Sequence, residues 1–425
     1  MTDSLSHTRA ERALDQFLRM SRMSQDLGFS HQVVEDEVFK GDTIRLRGRE
    51  VVNFGLCSYL GISDDRRLVE AAVDALHRYG SGFSSSIAYT ALPLYSQLRE
   101  RLEQMLGADV VIAASTTLAH LAALPVMIRG DDHVLVDAYA HASLLQAMPS
   151  VKANGARVTQ IPHNDTNLIA DYCRANPKTR VWFIGDGIYS MHGDTMPAEE
   201  VFELLESRSN LWVYCDDAHG LGWEGERGQG NFLRRVGWHE RLVMSFGLSK
   251  SFGALGGVVA SPDARLLEVV RMTGGPLVFG GPIPPASLAA GIASADIHLS
   301  DELEGLQADL AERIDLVNTL ASKLDLPLTS KEATPMWMVE IGKTFTMGSI
   351  LASVLDDGFY LNPAIFPVVP RGRSGMRFTV TRYLSHDQIG SMLISISEAI
   401  EKYSGPEDVV DLTILEARER EESRP

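Results

Sequence analysis

Two stretches decide the fold: residues 211–230, LWVYCDDAHGLGWEGERGQG, and residues 241–257, RLVMSFGLSKSFGALGG. Each opens with an apolar run rich in β-branched and aromatic residues, and each run ends in polar residues and glycines. Such a run reads as a strand buried on both faces of a sheet. The pattern repeats outward in DVVIAAS (109–115), HVLVD (133–137), RVWFIGD (180–186) and GGVVAS (256–261). Helical or loop sequence separates the runs. Residues 65–79 place Leu68, Ala71, Ala72, Ala75, Leu76 and Tyr79 on one helical face, and residues 94–106 do the same with Leu98, Leu102, Met105 and Leu106. Alternating strands and helices predict an α/β layer fold around a mainly parallel sheet. In such sheets, ligand sites collect at the carboxyl ends of the strands.

Past residue 297 the texture changes. An amphipathic helix is predicted over 301–324, then a strand at MWMVEIG, a helix near 346–357, the Pro-rich stretch NPAIFPVVPRGRSG, a strand at MRFTVT and a helix from Asp387 to Tyr403. The expected division is an N-terminal segment (1–50) packing on a small domain, a large domain (51–297), and a C-terminal small α/β domain (298–425). From Ser404 the chain reads as a solvated helix end or disordered tail.

The composition narrows the function. In 425 residues, 39 Lys and Arg face 56 Asp and Glu, a formal charge of −17, with 45% hydrophobic and 22% charged residues. This is an ordinary globular balance, and its acidity opposes a broad grip on nucleic acid. The residues before 50 show no helix-turn-helix with a basic face. Cys57, Cys173 and Cys215 form no Cys-x-x-Cys pair, so neither a zinc ribbon nor a disulfide framework is expected, nor any metal site. The start, MTDSLSHTRAERALDQFLRM, has no apolar signal-peptide core. No apolar run approaches the roughly 18 residues of a membrane span. A cytoplasmic protein with no membrane partner is the expectation.

The chemistry gathers in the two opening stretches. Asp216 ends a strand and His219 follows three residues later. A carboxylate at a buried strand end is costly unless it meets a cation, and a protonated pyridine nitrogen is such a cation; a plain loop cap is the bland alternative. Lys250 stands in a turn of small residues, where a lysine can lose its proton and form a Schiff base, although a lysine near a loop is usually a surface residue. The pairing of D-x-A-H with S-K-S-F-G-A-x-G-G, with 250 − 216 = 34 residues between acid and lysine and a strand between the motifs, is far more specific than either alone.

This pair resembles the fold-type I pyridoxal 5′-phosphate (PLP) enzymes, and within them the α-oxoamine synthases, which include 8-amino-7-oxononanoate synthase, 2-amino-3-ketobutyrate CoA ligase, 5-aminolevulinate synthase and serine palmitoyltransferase. The resemblance runs from about residue 40 to 403. NFGLCSYLG (53–61), YGSGFSSS (79–86), DAYAHAS (137–143), HND (163–165) and GDGIYSMHGDTMP (185–197) precede the two motifs in family order.

The resemblance implies a large domain and a smaller C-terminal domain of the class I/II aminotransferase type. It implies PLP as cofactor, held by Lys250 through a Schiff base, with Lys250 later moving the α-proton. Asp216 pairs with the ring nitrogen, His219 contacts the ring hydroxyl, and His141 stacks on the ring. Ser115, Thr116 and Thr117 cradle the phosphate at a helix N-terminus. Ser190 and Ser249 flank the cofactor. Arg377 grips the amino-acid carboxylate with its planar fork, and Cys57 and Ser86 border the substrate. The implied reaction condenses an amino acid with an acyl thioester, on CoA or an acyl carrier protein, with decarboxylation to an α-amino ketone. A homodimer is the implied assembly.

Several positions depart from the family. Cys57 replaces an Asn, Ile87 an Arg, Tyr95 and Arg99 a His and an acid, Gly247 a Thr, Leu384 a His, and FGG (279–281) a hydroxyl-bearing segment reaching the partner's phosphate. Most surround the substrates rather than the ring. They imply an altered pocket and count against glycine, a dicarboxylic acyl group and the standard CoA grip. Two other readings stay open: decarboxylation, aldol-type cleavage or transamination on the same cofactor, and a silent partner subunit, which the presence of Lys250, Asp216 and His219 opposes. Arg371, Arg373 and Arg382 read either as a basic rim for phosphate or an acidic carrier, or as a solvated loop.

Overall fold

The computed structural model describes residues 9–26, 28–366 and 368–403; the charged tail from Ser404 lies outside the described residues. The chain begins with α1 (Arg9–Asp26), the hairpin β1 (Thr43–Leu46) and β2 (Arg49–Asn53), then α2 (Arg66–Tyr79) and α3 (Pro93–Leu106). The large sheet follows: β3 (Asp109–Ala113), α4 (Thr116–Met127), β4 (His133–Asp137), α5 (Ala142–Ala153), β5 (Arg157–Ile161), α6 (Thr166–Ala175), β6 (Val181–Asp186), α7 (Ala198–Ser207), β7 (Leu211–Asp216), α8 (Asn231–Val236), β8 (Leu242–Gly247) and β9 (Gly257–Ser261). Helices α9 (Ala264–Thr273), α10 (Gly275–Phe279), α11 (Pro285–His298) and α12 (Glu302–Lys323) lead to β10 (Met336–Gly342), α13 (Thr344–Asp356), β11 (Phe359–Tyr360), β12 (Asn362–Ala364), β13 (Ser374–Thr379) and α14 (His386–Tyr403).

The seven strands of the large sheet run in the order β3-β9-β8-β7-β6-β4-β5. All neighbours pair in parallel except around β9, which is antiparallel to both β3 and β8. The apolar runs predicted this sheet, but they carry no direction. β9 reverses because only a short turn, Leu248–Gly256, joins it to β8, and a parallel partner needs a crossover of a dozen residues or more. β5, RVTQI, was not among the predicted runs. It is an edge strand with a partly exposed face, so its sequence alternates instead of staying apolar.

Helices cover both faces of the sheet. Along β7, Val213 and Cys215 join one buried cluster and Tyr214 joins another on the opposite side. This is why the strand reads as continuously hydrophobic. A third cluster, built from α12, α13, α14, β10 and β13, packs the C-terminal part around Trp337 and Phe378, whose rings stack at 5.3 Å. There β10, β13 and β12 form a three-stranded antiparallel sheet. β11 pairs with β2, tying residues 49–53 to the C-terminal part.

One packing detail shapes the site. Gly247 and Gly257 face each other across β8 and β9. A Cβ on Gly257 would lie 2.4 Å from the Thr116 backbone nitrogen, and one on Gly247 would lie 3.0 Å from Thr116 Oγ1. Bare backbone at these two positions lets the N-terminus of α4 seat directly on the sheet.

Candidate active site

The parallel register puts Asp186 of β6 beside Asp216 of β7, and Asp216 beside Ser245 of β8, at the carboxyl edge of the sheet. Both aspartates are buried. Two carboxylates there cannot both be charged without cations nearby, and the pair separates in response. Burial and the neighbouring Asp216 push the Asp186 carboxyl well up. Burial also pushes Asp216 up, but His120, Lys250 and His141 outweigh it and hold Asp216 below the ordinary carboxylate value. Asp216 therefore keeps its negative charge at neutral pH and Asp186 is the member that takes a proton. Asp186 serves another group, since its Oδ1 accepts a hydrogen bond from the His141 backbone N–H at 3.1 Å.

His120 is the principal residue the sequence reading passed over. It lies one turn into α4, fully buried, with Nε2 3.0 Å from Asp216 Oδ2 and Nδ1 2.9 Å from the Tyr214 hydroxyl. A polar residue four positions after Thr116, inside the apolar run LAHLAAL, was the available signal.

Lys250 follows β8 in the turn whose Gly253 N–H bonds its carbonyl at 3.0 Å. Burial lowers its ammonium pKa, while Asp216, Cys57 and Asp186 pull it upward electrostatically. Among the described residues no ion pair or side-chain hydrogen bond holds its Nζ. His219, behind Asp216, is buried with Nδ1 2.7 Å from the Tyr59 hydroxyl, and burial together with Lys250, Arg377 and His141 lowers its pKa far enough to keep it neutral. Tyr59 is the second residue not foreseen. His141 is the N-cap of α5. Its Nδ1 meets the Ser143 hydroxyl at 2.7 Å; partial burial and Lys250 lower its pKa despite Asp216.

Ser115 is the N-cap of α4, and its hydroxyl accepts the Leu118 N–H at 3.3 Å. The Thr116 and Thr117 hydroxyls beside it make no side-chain hydrogen bond within the described chain. The first-turn N–H groups and the helix dipole make this an anion seat. Ser249 is exposed beside Lys250.

Arg377, on β13, is buried without a carboxylate partner among the described residues. Its Nε donates to the Ser190 carbonyl at 2.5 Å, and its Nη2 lies 3.9 Å from Cys57 Sγ and 4.0 Å from Met336 Sδ. The Tyr59 hydroxyl also stands within its reach, but with no carboxylate beside it among the described residues the buried guanidinium has donors to spare for an anion. Cys57 is a half-buried free thiol. Ser86 stands apart from this group: its hydroxyl donates to the Val278 carbonyl at 2.5 Å and accepts the Ala88 N–H. Of the predicted rim, Arg373 pairs with Glu340 at 2.7 Å and Arg382 with Asp309 at 2.7 Å, while Arg371 lies 4.4 Å over the Phe366 ring.

These residues fit PLP: an anion seat for the phosphate, a lysine freed of ion pairs, a charged buried acid behind it, and a lone guanidinium for a substrate carboxylate. Fold and site together define a fold-type I PLP-dependent enzyme.

The comparisons agree. Residues 49–389 match the family "Aminotransferase class I and II". A serine palmitoyltransferase of Sphingobacterium spiritivorum is 30% identical over 85% of this chain and 88% of its own length. An 8-amino-7-oxononanoate synthase of Maricaulis maris is 31% identical over 85% and 90%. Among solved structures, a Sphingomonas wittichii serine palmitoyltransferase superposes with a TM-score of 0.83 at 21% identity, over 95% of this chain and 99% of that one. The chain belongs to the α-oxoamine synthase branch of the class I and II aminotransferase family.

Proposed function

We propose that this protein is a C-acyltransferase that joins an amino acid to an acyl thioester, on CoA or an acyl carrier protein, with loss of carbon dioxide to give an α-amino ketone. The observation that carries it is that Lys250 and charged Asp216, at the edge of the large sheet, and Arg377, brought in from the C-terminal sheet with no carboxylate partner among the described residues, lie close enough to act on one another's charge, in a chain whose relatives are named a serine palmitoyltransferase and an 8-amino-7-oxononanoate synthase.

When bound, PLP supplies an electron sink for negative charge at the amino acid's α-carbon. The chain's own residues do the rest. Thr116 and Thr117 with the α4 N-terminus would anchor the phosphate, and Asp216 would offer a fixed negative charge to the ring nitrogen. His141 would cover one ring face, and the hydrogen-bonded His219–Tyr59 pair would hold the ring hydroxyl. Arg377 holds the substrate carboxylate and so fixes which α-substituent faces Lys250. The Nζ of Lys250, with its pKa lowered by burial, removes the α-proton. The α-carbon would then attack the thioester carbonyl, the carbon–sulfur bond would break and the thiolate would leave and take up a proton; release of the carboxylate from Arg377 as carbon dioxide, and return of a proton to the α-carbon from Lys250 Nζ, would complete the α-amino ketone. Holding these groups in fixed orientation and placing charge around the reacting atoms are the protein's contributions.

A homodimer is part of this reading, supported by the exposed large apolar side chains of Tyr89, Met272 and Phe279. A cytoplasmic setting is supported by three free thiols; among the described residues no helix is long and apolar enough to cross a membrane. In this reading residues 51–297 form the cofactor-binding body and the described residues from 298 onward the small domain, with the end of the N-terminal segment joined to it through β2 and β11; residues 1–8 and 404–425 lie outside the described residues. Mass spectrometry of products from a panel of amino acids against short and long acyl thioesters tests the reaction. An α-amino ketone supports it, and carbon dioxide release without any thioester replaces it with a simple decarboxylase.

A further inference from the structure

Tyr214 and Asp216 stand two positions apart on β7, so their side chains turn to the same face of the sheet, about 7 Å apart along the strand. Helix α4 covers that face, and Tyr214 shares a buried cluster with its Ala119, Ala122 and Ala123. His120 of α4 spans the gap between the two. Its Nε2 lies 3.0 Å from Asp216 Oδ2, its Nδ1 lies 2.9 Å from the Tyr214 hydroxyl, and the two rings meet edge-on at 5.7 Å. Ser245 stands on the neighbouring strand β8, beside Asp216 in register. Its buried hydroxyl has no hydrogen-bond partner at normal distance, yet it lies close enough to the Tyr214 oxygen to oppose the rise that burial gives the phenol pKa. His120, Tyr214 and Ser245 are all fully buried.

The capacity of each group fixes the direction of each bond. A charged carboxylate only accepts, so Nε2 carries a proton and donates to Asp216. Tyr214 keeps its own proton, because burial pushes its pKa far above the ordinary phenol value. That proton and a proton on Nδ1 cannot both lie between the two atoms. With PLP bound, the negative charge of Asp216 is matched by the protonated ring nitrogen, and Asp186 carries a proton of its own. An imidazolium in the same dry space would add a cation without a counter-charge. A neutral His120 leaves Nδ1 as an acceptor, and the Tyr214 hydroxyl is the donor it meets. The donors then run in one direction, from Ser245 through Tyr214 and His120 to Asp216, and each bond polarises the next.

We propose that Tyr214 is a positioning residue for the cofactor: by donating to Nδ1 it fixes His120 as the Nε2–H tautomer, and through that ring it holds Asp216 ionised toward the PLP ring nitrogen. This rests on the placement of PLP between Lys250 and Asp216 given above, and is independent of the acyl donor. Tyr214→Phe keeps the shape of the ring and removes only the hydroxyl. Nδ1 then faces apolar space without a donor, so the imidazole turns its proton the other way or takes a second one, and in either case its bond to Asp216 changes.

Nitrogen NMR of the holoenzyme at neutral pH tests this, with isotope-labelled histidine rings and PLP labelled at its ring nitrogen. The His120 signals are those lost in His120→Phe. The expected wild-type spectrum has His120 protonated on Nε2 and bare on Nδ1, with a protonated PLP ring nitrogen. In Tyr214→Phe the His120 pattern changes and the PLP ring nitrogen moves toward its unprotonated position. PLP affinity, read by equilibrium dialysis, falls about two- to tenfold, the worth of one ordinary hydrogen bond. Because Tyr214 acts through His120, adding Tyr214→Phe to His120→Phe costs no further affinity. The proposal is overturned if wild-type His120 is protonated on Nδ1, alone or together with Nε2, or if the Tyr214→Phe spectrum matches the wild type. An equal affinity loss in both backgrounds also overturns it, since Tyr214 would then act by packing alone. The wild-type spectrum decides even if Tyr214→Phe does not fold. A chain that binds no PLP overturns the placement on which the proposal rests, whereas bound PLP with the other His120 tautomer overturns the relay alone.

Discussion

Nε2 of His120 lies 3.0 Å from Oδ2 of Asp216, with both side chains out of contact with water. A carboxylate only accepts, so Nε2 donates, and the ring is steadied from behind by the Tyr214 hydroxyl. One element, α4, thus carries both the Thr116 hydroxyl and, four residues on, the imidazole that holds the Asp216 carboxylate, and on the proposed reading it would serve both ends of the cofactor. A hydrogen bond to a charged group is worth roughly 1.5–3 kcal/mol. His120→Phe is expected to weaken PLP binding about 10- to 100-fold, measured by equilibrium dialysis. Unchanged affinity with an intact fold would remove His120 from the site.

Lys250→Ala abolishes the visible absorbance of lysine-bound PLP while the thermal midpoint of the apoprotein moves little, because the lysine contributes no hydrogen bond or ion pair to the described fold. Absorbance surviving in this variant sinks the assignment of residue 250.

Arg377→Ala is expected to raise the amino-acid KM at least tenfold, taking about 1.5 kcal/mol as the low end for a charged hydrogen-bonded contact. Arg377→Lys recovers only part of it, because a point charge does not reproduce a planar fork. Steady-state kinetics with constant donor read both effects, and equal recovery by lysine would argue against bidentate binding.

His163 bridges Asp137 at 2.9 Å and Asp194 at 2.6 Å, linking the end of β4 to the segment after β6. Burial lowers its pKa, but the two hydrogen-bonded carboxylates win and raise it to about 9. A folded value above the unfolded value of about 6.5 means stability present in full below pH 6.5 and lost as pH rises through 9, by at most about 3 kcal/mol. Denaturation at pH 6 and pH 9.5 should show this loss, and His163→Gln should flatten it.

Gly222 has φ +95° and its α-carbon abuts His298: a Cβ there would lie 2.9 Å from Nε2. His298 is buried, its Nδ1 donates to the Ser294 carbonyl at 2.8 Å, and burial pushes its pKa down to about 4. Ser294 in turn donates to the Phe252 carbonyl at 2.6 Å, so α11 grips the turn after Lys250. Gly222→Ala adds backbone strain and overpacking and is expected to cost about 2–4 kcal/mol. His298→Ala should be non-additive with it in a double-mutant cycle, and additivity would deny their contact.

The sequence by itself determined the alternation of strands and helices, because buried strands leave continuous apolar runs. It also determined the Asp216–Lys250 pair, because a strand-end acid and a glycine-flanked lysine are local patterns. It missed β5, whose half-exposed face breaks the apolar run, and it gave no direction for β9, since pairing orientation depends on the connection rather than on composition. Only the tertiary structure decided that His120 and Tyr59 stand beside Asp216 and His219, and that Arg377 arrives from the C-terminal sheet to face Cys57. Those contacts span 96, 160 and 320 residues, and no periodicity in a chain encodes which distant side chains its folded strands bring together.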